Sequence, residues 1–167
     1  IQAAGRLIGG SDPRRQEDGS YVLGQYRSPH MLERHIELLD YSAQDVDWRV
    51  IEQAALSTGR IGRQEAREAL VKNVMDRPKL MARDRESARA INAAIIGAGR
   101  LGASEILPMC DRILAEDPLN SDGNARLAAA FAIGTSAKPD DKVVSRLFAS
   151  LGNMMDMSKS EAVKAIG

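Results

Sequence analysis

From residue 28 to residue 157, apolar residues along the chain mostly recur at the helical period rather than the alternating period of strands. In "DRESARAINAAII", Ile91, Ala94, Ile95 and Ala98 stand at i, i+3, i+4 and i+7. That spacing places them on one face of a helix. The same pattern predicts first helices at about 43–59, 85–100 and 122–135, and second helices at about 63–76, 103–116 and 139–155. Each predicted second helix carries one apolar stripe. The stripes are Ala66, Ala69, Leu70 and Val74; Ile106, Cys110, Ile113 and Leu114; and Val144, Leu147, Phe148 and Leu151. A helix pair cannot bury such a stripe alone, but stacked neighbours can. The expectation is an all-α protein whose antiparallel helix pairs stack on one another.

One stretch competes with this reading. "AIIGAGRLG" at 94–102 spells G-x-G-x-x-G, the turn that cradles phosphates in dinucleotide-binding folds. That turn requires a buried strand before it and a second strand ending in an acid about 20 residues on. The upstream segment is helical in period. Glu116 and Asp117 lie at the right distance but have no strand to end. The motif also recurs. "AALSTGRIGRQEAREAL" at 54–70 aligns with "AIIGAGRLGASEILPMC" at 94–110, forty residues apart. Gly59 matches Gly99, Arg60 matches Arg100, Gly62 matches Gly102 and Glu65 matches Glu105. Gly5-Arg6-Leu7 repeats the core triplet, and "ARLAAAFAIG" at 125–134 is a looser copy. A nucleotide turn has no reason to recur on this schedule. Tightly packed helices do, because they use small residues at their crossings and end on glycine.

This order of motifs resembles HEAT repeats of the bacterial HEAT-like kind. A small-residue helix ends in a Leu-Gly-x-Ile-Gly-like turn, an acidic residue follows, and an Ala-Val-Pro-x-Leu-like second helix begins. "GRLGASEILPMC" supplies that order with Pro108, and "GRIGRQEAREAL" supplies it with Glu68 in the proline's place. "TSAKPDDK" replaces the turn in the last full repeat. The resemblance covers about residues 29–167 and implies a right-handed α-solenoid. Its organisation would be a partial repeat over 1–40 with an inserted loop at 8–28, repeats at about 41–80, 81–119 and 120–157, and the start of another at 158–167. The chain then reads as a fragment of a longer polypeptide. The segment 8–28 carries four glycines, Pro13, Tyr21 and Tyr26, and breaks the period.

The 167 residues are 44% apolar, 28% charged and 4% aromatic, a mixture suited to a globular helical protein. Lys plus Arg and Asp plus Glu both number 23. This balance gives no general electrostatic attraction for nucleic acid. No apolar run approaches a membrane span. Cys110 is the single cysteine, which excludes an intrachain disulfide and a cysteine metal cluster. His30 and Glu33 would share a helix face while His35 points elsewhere, so these residues are not spaced as a zinc site. Asp45 and Asp47 fit the start of a helix, where acids complement its dipole. Trp48 beside them could line a base pocket, as in HEAT-like DNA glycosylases, but such enzymes carry a strongly basic face and the balanced charge here argues against it. Residues 77–89 read as a mixed-charge connection, and Met154, Met155 and Met157 as packing or contact residues.

The resemblance implies a non-catalytic scaffold that recognises another protein, with no cofactor. In HEAT-like stacks the second helices line the concave face. Its solvent-facing candidates are Glu68, Lys72, Asp111, Arg112 and Arg146, joined by Tyr21 and Tyr26 from the insertion. Arg6, Arg60 and Arg100 recur at the helix–helix turns. They are expected to form a structural ladder on carbonyls or acidic neighbours, and the alternative is a row that binds anions. Two rival functions remain open. One is an activity like that of the bilin lyases, whose HEAT-like repeats the sequence also resembles, acting on a tetrapyrrole or its carrier protein. The other is nucleic-acid binding. The compartment is not fixed by these residues; the cytoplasm is the default expectation.

Overall fold

The element boundaries follow from a few local signals repeated at a fixed interval. In the computed structural model, described over residues 1–42, 47–83, 86–116 and 123–135 with Lys142, Val144, Ser145, Leu147 and Phe148, all regular structure is helical. Nine α-helices lie within these residues: α1 Gln2–Ile8, α2 Pro13–Gln25, α3 Leu32–Leu38, α4 Trp48–Ile61, α5 Arg67–Met75, α6 Arg77–Arg83, α7 Ser87–Arg100, α8 Leu107–Ala115 and α9 Gly123–Thr135. Asp47 starts α4, its carboxylate accepting from the Arg49 N–H. The helix stops at Gly62, where φ reaches +77° and the N–H bonds the Thr58 carbonyl. Gly102, with φ of +65°, ends the same kind of turn after α7. A single 3₁₀ turn follows each glycine, Gln64–Ala66 and Ser104–Ile106, and leads into α5 and α8. Pro108 occupies the first turn of α8, where no N–H is needed. The bounds of the 3₁₀ turns and of α5 and α8 differ by forty residues, the spacing of the sequence repeat.

The expected stripes are largely the buried ones. Ala66, Leu70 and Val74 are buried on the α5 side, and Ile106, Cys110, Ile113 and Leu114 on the α8 side. Leu147 is buried while Phe148 is exposed; Leu151 lies outside the described residues. These residues belong to one continuous apolar core that extends from Leu39 to Leu147, with a smaller cluster of Ala4, Ile8 and Leu23 at the N-terminal end. Helix α1 packs on α2, α2 on α4, α4 on α7, and α7 on α9. Helices α3, α5 and α8 pack in turn on α4, α7 and α9.

Two expectations are corrected. The segment 8–28 is not an inserted loop, because most of it is α2. Asp12 caps this helix through the Arg14 N–H, and Pro13 opens it. Its buried face is Gln16, Gly19, Ser20, Leu23 and Gly24. Such a face emits almost no apolar signal. It works by closeness instead: a Cβ on Gly19 would lie 2.7 Å from the Ala4 carbonyl oxygen, and one on Gly24 would lie 2.6 Å from Ser57 Oγ. The mixed-charge stretch after α5 is likewise not a plain connection, since α6 forms over Arg77–Arg83 and buries Leu80. Ion pairs join elements about one repeat apart: Arg67 to Glu105 at 2.6 Å, Arg77 to Glu116 at 2.7 Å and Arg89 to Glu52 at 3.2 Å.

Candidate functional site

The glycines of "AIIGAGRLG" serve helix packing. Gly97 and Gly99 lie inside the last turn of α7, with no strand before them. A Cβ on Gly97 would stand 2.6 Å from the Ala55 carbonyl oxygen, and one on Gly99 would stand 2.7 Å from the Ala132 Cα. Both are filled from outside by neighbouring helices, so no phosphate can enter. Only Gly102 uses the positive φ that glycine allows.

The second-helix surface is built from α5 and α8. Glu68, Lys72 and Arg112 are exposed and Asp111 is half-buried; Arg146 lies outside the described residues. Lys72 and Arg112 hold equivalent places, forty residues apart, on these two helices. The Lys72 ammonium stands 4.8 Å from the Tyr41 ring centroid, and the Tyr41 hydroxyl donates to the Asp76 carboxylate. Lys72 is therefore positioned by a cation–π contact. Tyr21 and Tyr26 lie elsewhere. Both are exposed, Tyr21 within α2 and Tyr26 as its C-cap, on the helix that packs against α1 and α4.

A second polar group gathers at the C-terminal ends of the first helices. Helices α2, α4, α7 and α9 cross near these ends at small residues: Gly24 against Ser57, Gly59 against Gly97 and Gly99 against Ala132. Arg27, Arg60 and Arg100 follow those crossings directly. Burial, then the positive charges of Arg60 and Arg27, pull the Arg100 guanidinium below its ordinary pKa. The row is thus Arg27, Arg60 and Arg100, while Arg6 is exposed in the last turn of α1. Arg27 escaped sequence reasoning because α2 itself had no apolar stripe to reveal it. The expected structural ladder is not what the side chains form. Among the described residues no carbonyl or carboxylate accepts from Arg60 or Arg100. Arg60 Nη1 is buried without a partner, and Arg100 lies over the Phe131 ring at 5.5 Å.

The other chemistry-bearing residues resolve into structural roles. Trp48 is 8% exposed and packs in the core beside Tyr41 and Leu80, so it lines no base pocket. His35 is fully buried, with Nδ1 at 3.0 Å from the Met31 carbonyl oxygen. Burial lowers its pKa, against smaller upward contributions from the Met31 and Ser20 backbones. His30 is exposed beside Gly5. Burial pushes the Cys110 thiol up to about 12, which keeps it protonated and unreactive. Among the described residues no three His, Cys, Asp or Glu side chains converge as metal ligands, and no helix is long and apolar enough to cross a membrane.

No protein-family profile matches the chain, and no curated protein matches it.

Proposed function

We propose that the chain is part of a right-handed α-solenoid of HEAT-like helix pairs and acts as a non-catalytic scaffold for another protein. Its binding surface is the face of the second helices. The observation that carries this reading is the equivalence of Lys72 and Arg112, exposed cations repeated at the forty-residue interval on α5 and α8. A repeated side chain on a repeated helix offers an extended partner the same contact more than once. The successive packing of α2, α4, α7 and α9, with α3, α5 and α8 also packed on α4, α7 and α9 in turn, supports the stacked arrangement. The inference from stack to scaffold is one of architecture, because such stacks build surfaces rather than reaction centres.

The test is purification from the native source under gentle conditions, followed by native mass spectrometry and an absorbance spectrum. A second polypeptide at fixed stoichiometry is expected, and replacing Lys72, Arg112 and Arg146 together by alanine is expected to release it. A partner retained by that triple variant would overturn the assignment of the face. A visible chromophore would favour tetrapyrrole chemistry instead, and copurified nucleic acid with steeply salt-dependent binding would favour a nucleic-acid binder.

A further inference from the structure

The arginine row is a different surface from the second-helix face, and its electrostatics are unusual for this chain. The formal net charge is zero, and several arginines elsewhere are paired: Arg34 with Glu37, Arg49 with Asp47, Arg67 with Glu105 and Arg77 with Glu116. The helix crossings bring Arg27, Arg60 and Arg100 to one edge, the charges of Arg60 and Arg27 act on Arg100, and neither Arg60 nor Arg100 has an acidic partner among the described residues. Helix C-termini favour cations, which accounts for one arginine at each end. It does not account for three such ends brought together by the crossings of Gly24 with Ser57 and of Gly59 with Gly97.

We propose that Arg27, Arg60 and Arg100 form a binding edge for an acidic peptide segment, each guanidinium taking one carboxylate. The spacing fits such a segment. Packed helices stand about 8–10 Å apart, so arginines at the C-terminal ends of α2, α4 and α7 are offset by about that distance per step, Arg27 following the α2 cap Tyr26. A peptide in the polyproline II conformation advances about 3.1 Å per residue with three residues per turn, which keeps acids three positions apart on one face at about 9 Å. The arginine fork matches a carboxylate with two parallel hydrogen bonds. Tyr26, 73% exposed and adjacent to Arg27, gives the end of the edge an amphipathic contact of the kind peptides use. A nucleic acid is the weaker match, since three cations in an electroneutral chain release few counterions.

The experiment is fluorescence anisotropy with a labelled proline-rich peptide carrying glutamate at every third position, in low and physiological salt. Wild-type protein is expected to bind it in preference to a peptide of the same composition with the glutamates clustered. Arg27→Gln, Arg60→Gln and Arg100→Gln are each expected to weaken binding about threefold, and together at least tenfold, in line with solvent-accessible ion pairs. The Lys72→Gln/Arg112→Gln variant is expected to bind the peptide as wild type does, which separates this edge from the scaffold face. Should the triple variant fail to fold by far-UV circular dichroism, Arg100→Gln alone decides, because Arg100 is exposed and its side chain makes no hydrogen bond among the described residues. Unchanged affinity in the folded arginine variants overturns the proposal. So does an equal loss in Lys72→Gln/Arg112→Gln, or tighter binding of a single-stranded oligonucleotide of equal charge.

Discussion

Gly59 and Gly97 meet backbone to backbone: a methyl group on Gly59 would lie 2.5 Å from the Gly97 Cα and 3.1 Å from its carbonyl oxygen. Neither neighbour is a flexible side chain that could swing aside. In an exposed helix, Gly→Ala stabilises by about 1 kcal/mol. Here the overlap must push α4 and α7 apart, and overpacking of this kind costs roughly 1–3 kcal/mol. Gly59→Ala is expected to lower the stability measured by urea denaturation by about 2 kcal/mol. A stabilised variant would show that the helices do not cross this closely.

Gly102 tests the other use of glycine. Nothing lies within 4 Å of a Cβ at this position, yet φ is +65°. The expected loss for Gly102→Ala is therefore conformational, about 1 kcal/mol. Asparagine tolerates the left-handed region better, so Gly102→Asn should lose less. Thermal melts of the two variants side by side check the order; equal losses would point to a steric cause instead.

These two glycines also show why part of the fold could be read from the residues and part could not. The helices that bury Ile, Leu and Val, such as α4, α7 and α8, announce themselves through periodicity, and Gly62 and Gly102 mark where the first two end. Helix α2 buries Gln16, Gly19, Ser20 and Gly24 with a single leucine. Its packing depends on the absence of side chains, and absence looks like a loop. Its one readable signal was local, the Asp12–Pro13 start. The same gap hid Arg27 from the row that Arg60 and Arg100 had suggested. Glu68, Lys72 and Arg112 were legible as solvent-facing because they oppose a strong apolar stripe. Their neighbours in space were not, because the Tyr41 ring under Lys72 comes from the connection before α4.

His35 gives the fold a defined pH sensitivity. Its ring is buried, and burial holds the folded-state pKa below the ordinary 6.5. The unfolded chain therefore binds a proton more readily than the folded one. The sign is that stability is full above pH 6.5 and falls as pH drops below it, by up to about 1.4 kcal/mol per pH unit. Asp47 is shifted below 3.8 by its bonds to Arg49, so its contribution is lost only at more acidic pH. Between pH 7 and pH 5 the fall is assigned to His35. Denaturation midpoints in that range should flatten in His35→Gln, which can still donate to the Met31 carbonyl but does not titrate. An unchanged slope would assign the sensitivity to another group.

Glu116 joins three helices. Its carboxylate takes two bonds from Arg77 at the start of α6, at 2.7 and 3.2 Å, and its main-chain carbonyl accepts from Arg126 of α9 at 2.9 Å. The Arg77 side chain is 16% exposed, against 74% for Arg89 in the Arg89–Glu52 pair. An exposed long side chain loses entropy on pairing and is screened, so such pairs contribute little. A bidentate pair with one partner mostly buried is held by its surroundings and loses less. A double-mutant cycle with Arg77→Met and Glu116→Gln is expected to give a coupling of about 1 kcal/mol, near the top of the range for ion pairs. The matching cycle with Arg89→Met and Glu52→Gln should fall close to zero and vanish in 1 M salt. Methionine keeps the apolar stem of the arginine, so the difference between the cycles reports the charge contact rather than lost packing. Equal couplings in the two cycles would mean that the junction at Glu116 is held by the Arg126 bond and the apolar core alone.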